Sequence, residues 1–144
     1  MWHVYVRGNT AFVPDVARTE AGFFLDVEPV ATVKLEDVSS LAAAINLVMA
    51  KGNPTVPTPS RAGFPRPVIL KPSGVKNWNA FVERGACFTI FRGEGEIEIM
   101  ETARNDAGEW VDAPSLNQKL PGDASATDIA RCIAKRAVSR ADLT

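Results

Sequence analysis

Few residues of this chain are of the types used in catalysis or metal binding, and most of them are scattered along the sequence. Ser73 and Lys76 match the S-x-x-K pattern, in which a serine at the start of a helix is activated by a lysine one turn later. The companion S-D-N and K-T-G motifs are missing, which favours Ser73 as the N-cap of a short helix and Lys76 as a surface lysine. His3 is the one histidine of the chain. A single histidine cannot build a multi-histidine metal site, so we expect it to be structural or exposed.

Carboxylates are the most concentrated chemical group, with seven between Glu94 and Asp112 and Arg104 as the one basic residue among them. Their spacing misses the D-x-D-x-D-G calcium loop, and the glutamates of the strand pattern imply no cleft for glycosidase chemistry. Two interpretations stay open: a solvated sheet face, or an acidic surface that docks a basic partner, with a tryptophan as its anchor. The candidate partner-binding residues are Glu94, Glu96, Glu98, Glu101, Asp106, Glu109, Trp110 and Asp112.

A Gly93-Glu94-Gly95 segment interrupts the same region, but it lacks the third glycine of the dinucleotide-binding fingerprint. A glutamate at its centre would repel a phosphate, so the segment indicates a hairpin turn. The sequence therefore predicts no catalytic, cofactor-binding or metal-ligating residues.

Composition limits the class of protein. The 144 residues are 46% hydrophobic and 23% charged, as in a folded domain, and the net charge of −1 provides no field that attracts nucleic acid or an anionic membrane. No apolar run reaches the length of a membrane span, and the N-terminus lacks a signal-peptide pattern. We expect a single cytoplasmic domain over residues 1–144. Cys87 and Cys132 are far apart, have apolar neighbours and are expected to be small buried thiols.

The N-terminal third predicts strands. The segment WHVYV places its tryptophan and valines on one face and His3 and Tyr5 on the other. The next strand, TAFV, is expected to be broken by Pro14. Residues 22–35 form a further strand pattern, in which Pro29 indicates a sheet edge or a bulge.

Two long helices are predicted by apolar residues at helical spacing. The first follows Asp37, Ser39 or Ser40 as its N-cap and ends at the K-G-N-P stretch. The second ends the chain and begins at Ser125, with Asp128 three residues later as a weaker form of the capping box.

Prolines are concentrated between the first helix and the middle of the chain. Six of the ten prolines fall between Pro54 and Pro72. A capped helix ends where this segment begins, and a strand-like VIL lies near its end. Because proline lowers the entropy of the unfolded chain, such a segment is easily ordered. We predict that residues 53–72 form a proline-rich ordered loop rather than a domain linker. Arg61 and Arg66 of this loop either pair with surface acids or form a second, basic contact.

A short helix is predicted between Ser73 and Gly85, and residues 86–112 then predict a β-meander. In its second strand, EIEIM, the isoleucines are expected to point inward and the glutamates outward. The order of elements predicts an α+β fold: a mostly antiparallel twisted sheet with two main helices and one short helix packed on one face.

The block from KGNPTVPTPSRAGFPRPVILKPSGVKNWNAF through GEIEIMETARNDAGEWVD resembles small bacterial immunity proteins of contact-dependent growth-inhibition systems in text, layout and length. The resemblance implies a cytosolic α+β domain that binds and neutralises a cognate toxin domain, basic and nuclease-like, through a protein–protein interface and without a cofactor. It carries over no binding residue by position. Two alternatives stay open: a small assembly or interaction domain, and a small enzyme whose polar groups converge only in three dimensions.

Overall fold

The computed structural model describes the backbone of residues 1–141 and the side chains of residues 1–139. Its helices and strands confirm the predicted α+β class. The strands are β1 (Trp2–Arg7), β2 (Thr10–Thr19), β3 (Phe24–Lys34), β4 (Thr55–Val56), β5 (Gly85–Arg92), β6 (Glu96–Arg104), β7 (Trp110–Asp112) and β8 (Gln118–Pro121). The helices are α1 (Val38–Lys51), α2 (Leu70–Ser73), α3 (Trp78–Arg84) and α4 (Ala126–Ala141), with a 3-10 turn at Pro114–Leu116. Among these described helices, none is long and apolar enough to cross a bilayer.

The strands form one eight-stranded sheet with the order β3-β2-β1-β5-β6-β7. Neighbours in this order are antiparallel. The two short strands lie beside this path: β4 pairs in parallel with the end of β2, and β8 pairs antiparallel with β6. The first strand is therefore central, because β1 pairs on one side with β2 and on the other with β5 from the second half of the chain.

Helices α1 and α4 cover one face of the sheet, which we name the first face. The carboxylate of Asp37 accepts a hydrogen bond from the backbone N–H of Ser40 and so caps α1, as predicted. Ser125 and Asp128 exchange hydrogen bonds at the start of α4, which confirms the capping box. The core on this face contains Val4, Val13, Leu41, Ile45, Phe88, Ile90, Ile97, Ile129 and Ile133, among other buried residues.

The short helix α3 lies on the opposite, second face, and this corrects the expectation that all helices pack on one face. Tyr5, Phe12 and Cys87 alternate with residues of the first face and form a separate buried cluster with Phe81 of α3. Central strands with apolar side chains on both faces must be covered twice, since either face left open would expose those side chains to water.

The long strands β2 and β3 each contain a proline, and only the proline of β3 does what the sequence predicts. Strand β2 runs through Pro14, so the predicted break there is wrong. The missing N–H of Pro14 is tolerated because β1 pairs with β2 only through Thr10–Phe12. The β2–β3 register shifts between Pro14 and Asp15 and skips Pro29 on the outermost strand β3, so the predicted edge or bulge at Pro29 is confirmed.

The proline-rich segment 53–72 contacts the rest of the chain at several points. The hydroxyl of Thr58 accepts a hydrogen bond from the Ala21 backbone, and Phe64 stacks on Phe23 with ring centroids 6.3 Å apart. Arg66 donates to the carbonyl of Lys76 rather than to a surface acid. That residues 1–144 form one domain with an ordered loop at 53–72 stays a prediction, and residues 142–144 lie outside the described residues.

The end of this segment differs from its prediction. VIL is not a strand: Leu70 begins α2, and Ile69 and Leu70 are both buried in the second-face cluster, whereas neighbouring residues of a strand point to opposite faces. Ser73 ends α2 instead of beginning a helix, because its hydroxyl donates to the Leu70 carbonyl and Gly74 follows in the left-handed conformation. The side chain of Asn77 caps α3.

Replacing Gly85 by alanine is expected to destabilise the fold, since a Cβ at this position would lie 2.7 Å from the Phe81 carbonyl oxygen and 2.8 Å from its ring. The close approach lets β5 leave α3 directly below that ring. Overpacking of this kind costs about 1–3 kcal/mol. Urea unfolding would measure the loss, with Gly93→Ala as the control, because a Cβ at Gly93 meets its nearest atom at an ordinary 3.5 Å. Equal stability of both variants would contradict the expectation.

Candidate functional site

The carboxylates of β6 divide between the two faces of the sheet. Ile97 and Ile99 are buried on the first face, as predicted. Glu96 and Glu98 therefore point to the second face, beyond the part that α3 covers. Paired residues on β5 and β7 project to the same side, because residues directly opposite each other in an antiparallel ladder share a face. We name this surface the open face. Its residues are Thr89, Phe91, Glu96, Glu98 and Met100, with Lys119 of β8 opposite Glu98 and Asp112 farther along, opposite Thr102.

The open face combines an exposed aromatic ring with carboxylates. Phe91 is 43% exposed and lies opposite Glu98 in the register. Glu98 accepts a hydrogen bond from the Asn117 amide. The Glu96 carboxylate lies 3.5 Å from the ammonium group of Lys119, and the side chains of this ion pair are 47% and 65% exposed. A hollow of about 380 Å³ adjoins Met100 and Asp112. Glu94 is exposed in the turn that precedes β6.

Glu101 does not belong to this surface. It is 3% exposed, points to the first face and accepts a hydrogen bond of 3.1 Å from the Arg136 guanidinium of α4. Its place in the alternation of β6, two residues after Ile99, is the sequence signal for this burial.

Asp106 and Glu109 lie away from Glu96 and Glu98. They occupy the turn after β6, where the backbone N–H of Glu109 donates to the side chain of Asn105. The eight residue-to-residue steps from Glu96 to Arg104 span about 26 Å at ~3.3 Å each. The predicted acidic set is therefore two separate groups at opposite ends of one strand.

Trp110 packs in the aromatic cluster of the second face. Its ring contacts Trp78 edge-on at 5.2 Å and lies 6.3 Å from Tyr5 in a stacked arrangement and 6.1 Å from Phe81. Its indole is half-buried rather than presented on the open face. The structure thus brings together Glu94, Glu96 and Glu98. It separates Trp110, Glu101, the turn carboxylates and Asp112 from them, since Asp112 lies opposite Thr102 near the other end of β6.

Three polar residues that are distant or unremarkable in the sequence pattern, His3, Tyr5 and Asp26, meet at a cleft of about 230 Å³ between β1, β3 and the proline-rich segment. Asp26 lies 2.6 Å from Nδ1 of His3 through one carboxylate oxygen, and its other oxygen accepts a hydrogen bond from the Tyr5 hydroxyl. We name this feature the His3–Asp26 cleft. Alternation in β1 already placed His3 and Tyr5 on one face, but no sequence signal brings Asp26 of β3 to them.

The Tyr5 hydroxyl is held in its neutral form. Burial raises its pKa well above the usual range, and the neighbouring Cys87 and Asp26 add to the shift. Cys87 is the residue opposite Tyr5 in the β1–β5 register, and burial raises the pKa of its thiol from 9.0 to about 12. The two cysteines are free, Cys87 buried as predicted and Cys132 half-buried. Among the side chains of residues 1–139, no three histidine, cysteine or acidic groups are placed together as a metal site requires.

Stability is expected to fall at alkaline pH because of these buried groups. The unfolded thiol loses its proton near its ordinary pKa of 9.0, whereas folded Cys87 keeps it up to about 12, so the stabilisation is complete below pH 9.0 and is lost as the pH rises towards 12. The decline is about 1.4 kcal/mol per pH unit for one such group, and Tyr5 adds to it above pH ~10. Urea unfolding across this range under reducing conditions would measure it. Cys87→Ala should flatten the decline, and an unchanged slope in that variant would refute the assignment to Cys87.

Comparisons with known proteins show similarity of fold alone. No family model matches the sequence, and no curated protein matches it. A solved structure described as "Protein of Unknown Function NMB0488 from Neisseria meningitidis" is similar, with a TM-score of 0.69 and 15% sequence identity over 96% of this chain and 93% of that chain. The arrangement of sheet and helices therefore occurs in that chain over nearly its whole length. That similarity assigns no activity, ligand or partner.

Proposed function

We propose that this protein is a cytoplasmic immunity protein that binds and neutralises a cognate toxin domain, basic and nuclease-like, through a protein–protein interface. The observation that carries the proposal is the open face, where an exposed phenylalanine is bordered by carboxylates. Aromatic residues are the usual energetic anchors of interfaces, and charges around them select the partner. In this proposal the protein acts by occupying a surface and performs no chemistry itself.

A nuclease as the toxin would account for the negative charge of the glutamates on the open face. A toxin that cuts nucleic acid needs a basic surface, because phosphate contacts provide most of its affinity. Glu94, Glu96 and Glu98 offer carboxylates at one end of β6, which can compete with the phosphates for that basic surface. The same charges would steer the encounter of the two proteins and speed their association at low salt.

The proposal predicts that a large secreted adhesin-like protein is encoded immediately upstream, and the test is a growth-rescue assay with the toxin domain of that protein. Cells that produce the toxin domain alone should stop growing, and cells that also produce this chain should grow. Purified toxin domain and purified chain should form a stable complex in size-exclusion chromatography. Failure to rescue growth, with both proteins present in soluble form, would reject the proposal.

A second candidate, an assembly domain that associates with itself, would use the same open face, because Phe91 is exposed on it. The carboxylates argue against this use, since a symmetric contact brings like charges together. Sedimentation of the purified chain decides between the two: a monomer that binds the toxin domain supports immunity, and a stable oligomer with no affinity for it supports assembly.

A further inference from the structure

The His3–Asp26 cleft presents unused acceptor capacity at its base. Each oxygen of Asp26 has one partner, His3 or Tyr5, although a carboxylate can accept about four hydrogen bonds in all. The Asp26 side chain is 18% exposed, so it is reachable from the cleft. A carboxylate that is held by two neighbours and has free lone pairs is preorganised to receive a donor, and a charged donor best of all.

His3 orients the acceptor at the base of the cleft. Because its Nδ1 lies 2.6 Å from a carboxylate oxygen, this nitrogen donates a hydrogen bond to Asp26. The hydrogen bond holds the Asp26 carboxylate in place, and the lone pairs that His3 and Tyr5 leave free suit a cationic donor with several N–H groups.

The walls of the cleft are apolar and aromatic. Phe64 and Trp78 border it and are 55% and 36% exposed, and Phe24, Ile69 and Tyr5 line it further in. Aromatic faces attract guanidinium and ammonium groups, and they also pack along the methylene stem of a long side chain. A cation on an aliphatic stem therefore matches both the base and the walls.

Among the residues that line the cleft, Arg66 is the one that has the same charge as a cationic ligand. Its guanidinium donates to the Lys76 carbonyl at 2.8 Å, and this hydrogen bond engages it within the loop. The positive charge of Arg66 repels an incoming cation. It therefore provides a test of the sign of the ligand, because removing the charge must strengthen the binding of a cation and weaken the binding of an anion.

The cleft also opens on the side of the sheet that carries the open face. His3 of β1 lies opposite Thr89 of β5, and Thr89 lies opposite Met100 of β6 in the next ladder. The three residues form one continuous row across neighbouring strands. A partner bound to the open face would therefore reach the mouth of the cleft without a change in the fold of this chain.

We infer that the His3–Asp26 cleft receives an arginine or lysine side chain of the toxin domain and so acts as a specificity pocket beside the acidic open face. This inference rests on the proposed function. A basic toxin offers such side chains on its nucleic-acid-binding surface, and a pocket selects one of them by position, whereas the open face attracts any basic surface.

The first experiment isolates the cleft from the toxin. The whole chain is titrated with N-acetyl-arginine methylamide, and binding is followed through the indole N–H resonance of Trp78. The neutral citrulline analogue is the matched control ligand. We expect the arginine probe to bind about ten-fold more tightly than the citrulline probe. Equal binding of the two probes, or no shift of the Trp78 resonance at millimolar concentrations, would overturn the inference.

Two variants distinguish an effect of charge on probe binding from an effect on the fold. Asp26→Asn should remove the preference for arginine. Because this change also affects hydrogen bonds to His3 and Tyr5, Arg66→Gln on the exposed rim is the safer variant, and it should tighten arginine binding about two- to five-fold. Weaker arginine binding to Arg66→Gln would show that the cleft does not select cations and would overturn the inference.

Binding of the toxin domain to the Asp26→Asn variant then tests whether a toxin side chain occupies the cleft. Asp26→Asn should weaken the complex about ten-fold or more while the open face is unchanged. If the arginine probe binds and Asp26→Asn leaves the affinity for the toxin unchanged, the inference is rejected and the proposed function stands. If the wild-type chain does not bind the toxin at all, the proposed function is rejected and the inference with it, whatever the probe shows.

Discussion

Replacing Glu96 and Glu98 together by lysine is expected to slow association with the toxin domain about ten- to a hundred-fold at low salt, with a smaller change in the dissociation rate. The two side chains lie on the open face, and the reversal changes its charge by four units, because each carboxylate becomes an ammonium group. Neither side chain belongs to the buried core, so folding should be preserved. Stopped-flow kinetics at several salt concentrations would measure the effect, which should shrink as salt screens the charges.

The matched control for this double variant is Asp106→Lys with Glu109→Lys. It makes the same change of net charge at the opposite end of β6, in the turn after the strand. A surface that acts through local complementarity should be sensitive to the first pair and much less to the second. Equal slowing by both pairs would show that only net charge matters, and unchanged association in the first pair would refute the open face as the toxin-binding surface.

Phe81→Ala is expected to lower the free energy of unfolding by about 3–5 kcal/mol, the range for truncating a buried phenylalanine. Phe81 is fully buried and holds the second face together. Its ring lies 6.0 Å from Phe12, 6.2 Å from Tyr5 and 6.1 Å from Trp78, which joins α3 to β1 and β2. Urea unfolding followed by circular dichroism would measure the loss.

Phe91→Ala is the matched control, because it removes the same ring from a position that is 43% exposed. We expect it to cost less than about 1 kcal/mol of stability and to weaken the toxin complex, which is the reverse of a purely structural role. A loss of stability similar to that of Phe81→Ala would show that Phe91 belongs to the core. An unchanged affinity would exclude it as an anchor of the interface.

Local signals in the sequence account for most of the elements. Asp37 before α1 and the Ser125 and Asp128 pair before α4 are visible as caps because their partners lie within one helical turn. The alternation of β6 is visible because it depends on neighbouring residues only. The same alternation places Glu101 on the buried face of β6. The predicted binding set included Glu101 because it grouped carboxylates by sequence proximity and did not apply the alternation to this residue.

The errors arise where a local signal supports two structures. The V-I-L segment suits a strand or a buried helical turn, and the second-face cluster selects the turn by burying Ile69 and Leu70 together. Pro14 disfavours a strand in general, but it is tolerated where β1 no longer pairs with β2. In both cases the outcome depends on a neighbour that is distant in sequence.

Local patterns are enough to predict the α+β class, the two long helices with their caps, the meander and the outward carboxylates of β6, because each depends on residues within a few positions of one another. Contacts between distant parts of the chain place α3 on the second face, divide the acidic set into two groups and bring Asp26 to His3 and Tyr5. These features depend on the order in which strands pair, which joins β1 to β5 and places β3 at the edge. Pairing between distant strands is set by the burial of whole faces, and no short stretch of sequence contains that information.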